Sequence, residues 1–123
     1  FRAILEGTSY EMKLNVKTAA QFGIRVREII ATGGGANSDF WLQIKSDILR
    51  IPVITLRSAE GGLCGLAMLS AVALGVCDDL VSARDIYVRY RKKFRPQKTY
   101  REIYEKKYAK YKKLYRALKE FWK

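Results

Sequence analysis

The stretch Ile29-Ile30-Ala31-Thr32-Gly33-Gly34-Gly35-Ala36-Asn37-Ser38-Asp39-Phe40-Trp41 decides how this chain folds. An apolar run stops at three consecutive glycines, and an apolar-periodic segment begins just behind two good helix-capping residues. Without side chains, the glycines let the backbone turn sharply and let a flat or charged ligand come close. Asn37 or Ser38 can cap the helix that follows, so free backbone N–H groups and the positive end of a helix dipole face one spot. Strand, turn and helix start make a candidate nucleotide site. An ordinary tight strand-to-helix turn fits the glycines equally well, so both readings stay open here. Neither GxGxxG nor GxxxxGK[ST] occurs, and the stretch announces no dinucleotide fingerprint and no P-loop.

The 123 residues, 49% of them apolar, suffice for one modest domain with a real core and exclude a disordered chain. Histidine is absent, which removes His-based acid/base catalysis, Ser-His-Asp and Cys-His nucleophiles, and most zinc sites. Cys64 and Cys77 lie in or beside an apolar stretch and read as buried reduced thiols of a cytoplasmic protein. The longest apolar run, Leu63 to Val76, is too short to span a bilayer, so no membrane partner is expected. No signal peptide is visible, and a start at Phe1 reads as an internal residue of something longer.

Working outward from the glycines, residues 2–22 have helical period and Gly23 occupies the stop position. Val26 to Thr32 reads as a short strand. Residues 38–49 return to helical period through Phe40, Trp41, Ile44, Ile48 and Leu49, which makes Phe40 and Trp41 core residues. Pro52 ends that helix, and Val53 to Leu56 is a second short strand. Leu63 to Gly75 is apolar all round and therefore expected to be buried. Residues 82–92 read as another helix with Ser82 as its N-cap. Two strands joined by one helix do not make a stable core, so the chain reads as part of a domain.

Charge is unevenly placed. Residues 1–90 carry 10 Lys/Arg and 9 Asp/Glu, whereas residues 91–123 carry 14 and 3. From Thr99 onward Tyr100, Ile103, Tyr104, Tyr108, Tyr111, Leu114, Tyr115, Leu118 and Phe121 form one helical stripe opposite a basic face. Stacking on single-stranded nucleic acid needs aromatics and cations on one surface. Here they separate, which favours a docked amphipathic helix over a nucleic-acid partner.

Three segments carry a resemblance to a known family. Ala3-Ile4-Leu5-Glu6-Gly7 is similar to the close of the second signature of the FGGY carbohydrate kinases. Gly33 to Ile44 resembles their adenosine motif of a glycine run, Ala, a variable residue, Ser, two residues, Trp and then Gln. Glu60-Gly61-Gly62-Leu63-Cys64-Gly65-Leu66-Ala67 resembles their acid-Gly-x-x-x-Gly-x-Ala helix. Order and spacing match over about residues 1–95, most closely to the xylulokinase-like branch.

The resemblance implies a helix-rich α/β fold: part of an actin-like (ribonuclease H-like) ATPase domain with two short parallel strands and a long C-terminal amphipathic helix. It implies a division into 1–95, the adenosine side of the second kinase domain, and 96–123, a basic Tyr-rich helix packed on it. It further implies that Gly33, Gly34, Gly35 and Ala36 lie against adenine and ribose of ATP, with Asn37 and Ser38 offering polar contacts. Glu6 and Glu60 are read as capping or packing carboxylates, and the Gly61–Gly75 helix as packing beneath the site. The catalytic aspartate, the phosphate-binding turns, the sugar-binding residues and the Mg2+ site are expected upstream of Phe1. The implied partners are therefore a small sugar and the remaining N-terminal part of the kinase, with a homodimer also compatible. The expected activity is phosphoryl transfer from Mg-ATP to a xylulose-like sugar, with this piece inactive alone. A nucleic-acid-binding module on 91–123 and a non-catalytic regulatory actin-like domain are the rivals.

Overall fold

The computed structural model describes residues 1–57 and 60–118, excepting the side chains of residues 115 and 116. In chain order these are α1 (Arg2–Gln21), β1 (Ile29–Ala31), a 3-10 turn (Gly34–Asn37), α2 (Asp39–Leu49), β2 (Val53–Leu56), α3 (Gly61–Ala73), α4 (Leu80–Tyr87), β3 (Tyr90–Phe94) and α5 (Arg101–Leu118). Gly23 stops α1 at φ +82, and its N–H donates to the Ala20 carbonyl at 3.1 Å. Arg50 ends α2 in the left-handed region at φ 60, and Pro52 then bars any continuation.

β1 and β2 run parallel, pairing Ile29 with Val53, Ile30 with Ile54 and Ala31 with Thr55, and α2 is the crossover between them. β2 also pairs antiparallel with β3, giving the sheet order β1-β2-β3. β3 corrects the two-strand expectation and the expected helix over 82–92. In Tyr90-Arg91-Lys92-Lys93-Phe94 only Phe94 is buried, so the strand shows no apolar alternation. Its charges sit on an exposed sheet edge, where they discourage pairing with other chains. β1 is also shorter than the expected 26–32. Asp79, not Ser82, caps α4: the Asp79 carboxylate accepts the Ser82 N–H at 2.8 Å, while the Ser82 hydroxyl accepts the Asp79 N–H at 3.2 Å.

α2 is the central element. One face sends Leu42 under the sheet to Val53 and Phe94. The other sends Ile44 and Ile48 against Leu5 and Tyr10 of α1 and Tyr104 and Tyr108 of α5. Leu42, Ile48 and Val53 have no exposed surface, and each such side chain contributes about 1.5–3 kcal/mol. Polar groups of α2 fix the returning chain. Ser46 Oγ lies 3.0 Å from the carbonyls of both Ile51 and Phe94, and Asp47 accepts the Gln97 N–H at 2.7 Å.

α3 departs from expectation. Leu63, Leu66 and Leu69 are 65%, 62% and 56% exposed, and Ala71 is its one buried residue. A helix apolar all round needs cover on every side, and among the described residues it packs chiefly on α4 through Met68, Ala71, Cys77 and Ala83. Cys77 is buried and Cys64 only half-buried; both thiols are free. No helix of the described residues is long and apolar enough to cross a membrane.

On α5, Tyr104 and Tyr108 are buried, so their rings are not available to stack on bases. Ile103, Leu114 and Leu118 of the same stripe stay exposed; the Tyr115 side chain and Phe121 lie outside the described residues. Buried Glu6 joins the two helices: Arg2 Nε donates to one carboxylate oxygen at 2.8 Å and Lys107 Nζ to the other at 2.7 Å. Burial pushes the Glu6 carboxyl up, but its bonds to Lys107 and Arg2 together hold it below the ordinary value. A second pair, Lys13–Glu105 at 2.7 Å, is lopsided. Glu105 remains wet and is lowered by Lys13, while burial lowers the Lys13 ammonium itself, so desolvation offsets much of that attraction.

Because the folded Glu6 carboxyl is depressed, its contribution is present above the ordinary carboxylate range and lost as pH falls through the lowered value. Glu6→Gln is expected to cost about 1–3 kcal/mol at neutral pH. In denaturant melts the gap to the parent chain should begin to narrow as pH falls below the ordinary carboxylate range and close only below the depressed folded value.

Candidate functional site

The parallel register makes β1 and β2 end on one edge of the sheet, so the turns that follow them meet there. In open α/β sheets that carboxyl edge is where ligands bind. β1 leads into Thr32 and Gly33, and Gly33 takes φ +77 and ψ −173, a conformation that only glycine adopts without strain. Gly33 C=O then accepts the Ala36 N–H at 2.9 Å, closing the 3-10 turn, and Ala36 is buried. Ser38 caps α2 by accepting the Trp41 N–H at 3.3 Å, in keeping with one of the two expected caps. Asn37 is exposed beside it.

The three glycines differ. A Cβ on Gly33 or Gly34 would meet nothing within 4 Å, whereas one on Gly35 would stand 2.9 Å from the Trp41 ring. The turn thus shows bare backbone outward over Gly33–Gly34 and is braced from beneath at Gly35. Asp39 in the first turn of α2 receives Lys92 Nζ at 2.6 Å, and that hydrogen bond holds its carboxyl below the ordinary value. The start of α2 already has a cap and an anion, so it exerts little pull on a phosphate. The bare glycine face suits a flat, uncharged group instead.

The second motif reaches the same edge. A Cβ on Gly61 would stand 3.1 Å from Thr32 Cγ2, so glycine lets the start of α3 close on the end of β1. Sequence spacing offered no sign of that Thr32–Gly61 contact. Glu60 stands at the N-cap position of α3, where its carbonyl accepts the Cys64 N–H at 3.1 Å and its side chain makes no capping bond. Glu6 is a packing carboxylate in the α1–α5 joint. Trp41 is half-buried against the core as expected, but Phe40 is 54% exposed with the Arg2 guanidinium 5.7 Å from its ring centroid. Phe40 faces outward because Leu42 and Ile44 take the two buried faces of α2. Among the described residues no group of three or more His, Cys, Asp or Glu is placed to hold a metal ion.

A groove of about 810 Å³ also opens between α1 and α5, lined by Leu14, Tyr111, Leu114 and Leu118 with Glu11 and Lys112 at its rim. It presents mostly apolar side chains and lies away from the strand ends. Of its polar groups, Glu11 already accepts the Tyr111 hydroxyl at 2.8 Å and Lys112 and Lys113 are the remaining charges, so its mostly apolar lining suits an apolar rather than a small polar ligand. The glycine turn is the better candidate on chemistry.

A strand, a glycine turn and two helix starts on one carboxyl edge define an α/β unit with a candidate ligand site. Residues 1–74 match the C-terminal domain of the FGGY family of carbohydrate kinases, and the chain belongs to that family. It is 33% identical to a xylulose kinase of Bacillus subtilis, with 99% of this chain and 26% of the relative covered. Among solved structures, a xylulose kinase from Rhodospirillum rubrum superposes with a TM-score of 0.80 at 30% identity, over 98% of this chain and 24% of that one. A gluconate kinase from Lactobacillus acidophilus also reaches 0.80, at 26% identity over 95% and 24%. The chain spans about a quarter of the length of these relatives.

The local geometry is testable without a ligand. Gly33→Ala meets no atom but forces a positive φ, and is expected to cost about 1–2 kcal/mol in a thermal or denaturant melt. Ser38→Ala should cost about 0.5–1 kcal/mol through the lost cap.

Proposed function

We propose that this chain is the C-terminal part of an ATP-dependent carbohydrate kinase and supplies the adenosine side of its nucleotide pocket. The observation that carries the reading is the open backbone of Gly33 and Gly34 at the carboxyl edge, where a side chain would stand in the space of the base. Gly35 and Ala36 complete the wall, and Asn37 and Ser38 offer polar atoms toward the ribose. The complete enzyme moves the γ-phosphoryl group of Mg-ATP onto a sugar hydroxyl, releasing ADP and a sugar phosphate. That step is mainly positioning and charge stabilisation. The base that takes the hydroxyl proton, the phosphate contacts and the Mg2+ ligands belong to other parts of the enzyme. Residues 1–95 form the adenosine side and α5, over Arg101–Leu118, is the helix docked on it; the end of the expected 96–123 segment lies outside the described residues.

The acceptor is a xylulose-like sugar. The xylulose and gluconate kinases match this chain about equally well, so the choice of sugar rests on the other three-quarters of the enzyme. The exposed Leu63, Leu66 and Leu69 of α3 and the outer edge of β1, unpaired among the described residues, are the surfaces that the rest of the kinase covers.

Gly34→Leu separates this reading from a plain turn. Position 34 has ordinary φ and open space, so melting is expected to stay unchanged. In the complete kinase the KM for ATP should rise on the order of tenfold or more, while the KM for the sugar holds. An unchanged ATP KM would refute the adenosine assignment. The isolated 123-residue chain is expected to give no sugar-dependent ADP release, and a robust signal would contradict the division of labour.

A further inference from the structure

We propose that Trp41 is a positioning residue for the glycine turn, setting the height at which Gly33–Ala36 stand above α2. This rests on the reading that the turn receives the adenosine. The six-membered half of the indole fills the space into which a side chain at position 35 would project: a Cβ there would lie 2.9 Å from Cζ3, 3.5 Å from Cε3 and 3.6 Å from Cη2. Glycine at 35 is therefore demanded by the ring beneath it. Gly35 has ordinary φ, unlike Gly33, and unlike Gly34 it has no open space.

The ring is a firm support because it is held elsewhere. Its backbone N–H is fixed to the Ser38 hydroxyl, which ties ring and turn to the same helix start. Lys45 Nζ, one helical turn on, lies 3.8 Å from the ring centroid. That ammonium is half-buried, and burial alone lowers its pKa. The indole also packs against the cluster of Leu5, Tyr10, Ile44, Ile48, Tyr104 and Tyr108. A chain of rigid contacts thus runs from the α1–α2–α5 core through Trp41 to the backbone of the turn. Trp41 Nε1 is buried with no hydrogen-bond partner among the described residues.

The test is a reciprocal rescue. Trp41→Phe keeps an aromatic ring but withdraws the distal atoms, leaving a gap under Gly35. Gly35→Ala adds a methyl that collides with the intact indole. In the complete kinase each single change is expected to raise the ATP KM on the order of tenfold, with kcat and the sugar KM little changed. In Gly35→Ala/Trp41→Phe the methyl fills the vacated space, and the ATP KM should return to within about threefold of the parent value. A double variant whose ATP KM is the product of the two singles overturns the proposal, as does a Gly35→Ala variant with parental KM and melting.

Thermal melts of the same four proteins keep the proposal apart from the reading beneath it. If Gly34→Leu leaves ATP binding untouched, the adenosine reading has failed. Rescue in the melts would then still support the ring as the prop of the turn, and additive melts would overturn that as well. Should Gly35→Ala not fold, recovery of folding in the double variant supports the proposal and failure to recover overturns it.

Discussion

Three residues of β1 lie beside three of β2 in parallel register, and the candidate site exists because of that pairing. Parallel strands must leave the sheet on the same side, so the chain after Ala31 and the chain after Leu56 emerge together. The chain between them has to cross back, and a right-handed helical crossover is the short route. That crossover is α2, which the chain enters from β1 through the glycine turn. One backbone constraint thus brings a glycine turn, the first turn of α2 and the first turn of α3 to one edge. Thr32 against Gly61 is the point of contact.

α2 then carries the mechanical load in both directions. Leu42 anchors it to the sheet, while Ile44 and Ile48 anchor it to α1 and α5. Its polar residues hold the segment leaving β3, through Ser46 at Phe94 and Asp47 at Gln97. Its first turn supports the glycine backbone through Ser38 and Trp41. A turn with few contacts of its own is kept in place by an element with many. The Glu6 joint extends this frame to α5, and the basic character of α5 is in part the cation needed to satisfy a buried carboxylate.

Elements with a strong local signal were legible in the sequence. α1, α2 and β2 follow from period, Gly23 and Pro52, because these features act within a few residues. β3 was hidden because an exposed edge strand buries one residue in five, which leaves Tyr90 to Phe94 without the alternation that marks a strand. The exposure of α3 was hidden for a different reason. Composition shows that Leu63, Leu66 and Leu69 need cover, but not whether the cover lies within this chain. At the site, the glycines and Ser38 were readable as a turn and a cap. The distinction between open Gly34 and braced Gly35 was not, since it depends on where an indole six residues later comes to rest.

The central claim is that the turn over Gly33–Ser38 lies against the adenine and ribose. Photo-crosslinking with an azido-adenine nucleotide in the complete kinase, followed by peptide mapping, addresses it directly. The expected result is a label within residues 32–41 that unmodified ATP competes away. A competable label elsewhere, such as the α1–α5 groove around Leu14 and Leu114, with none on residues 32–41, would contradict it.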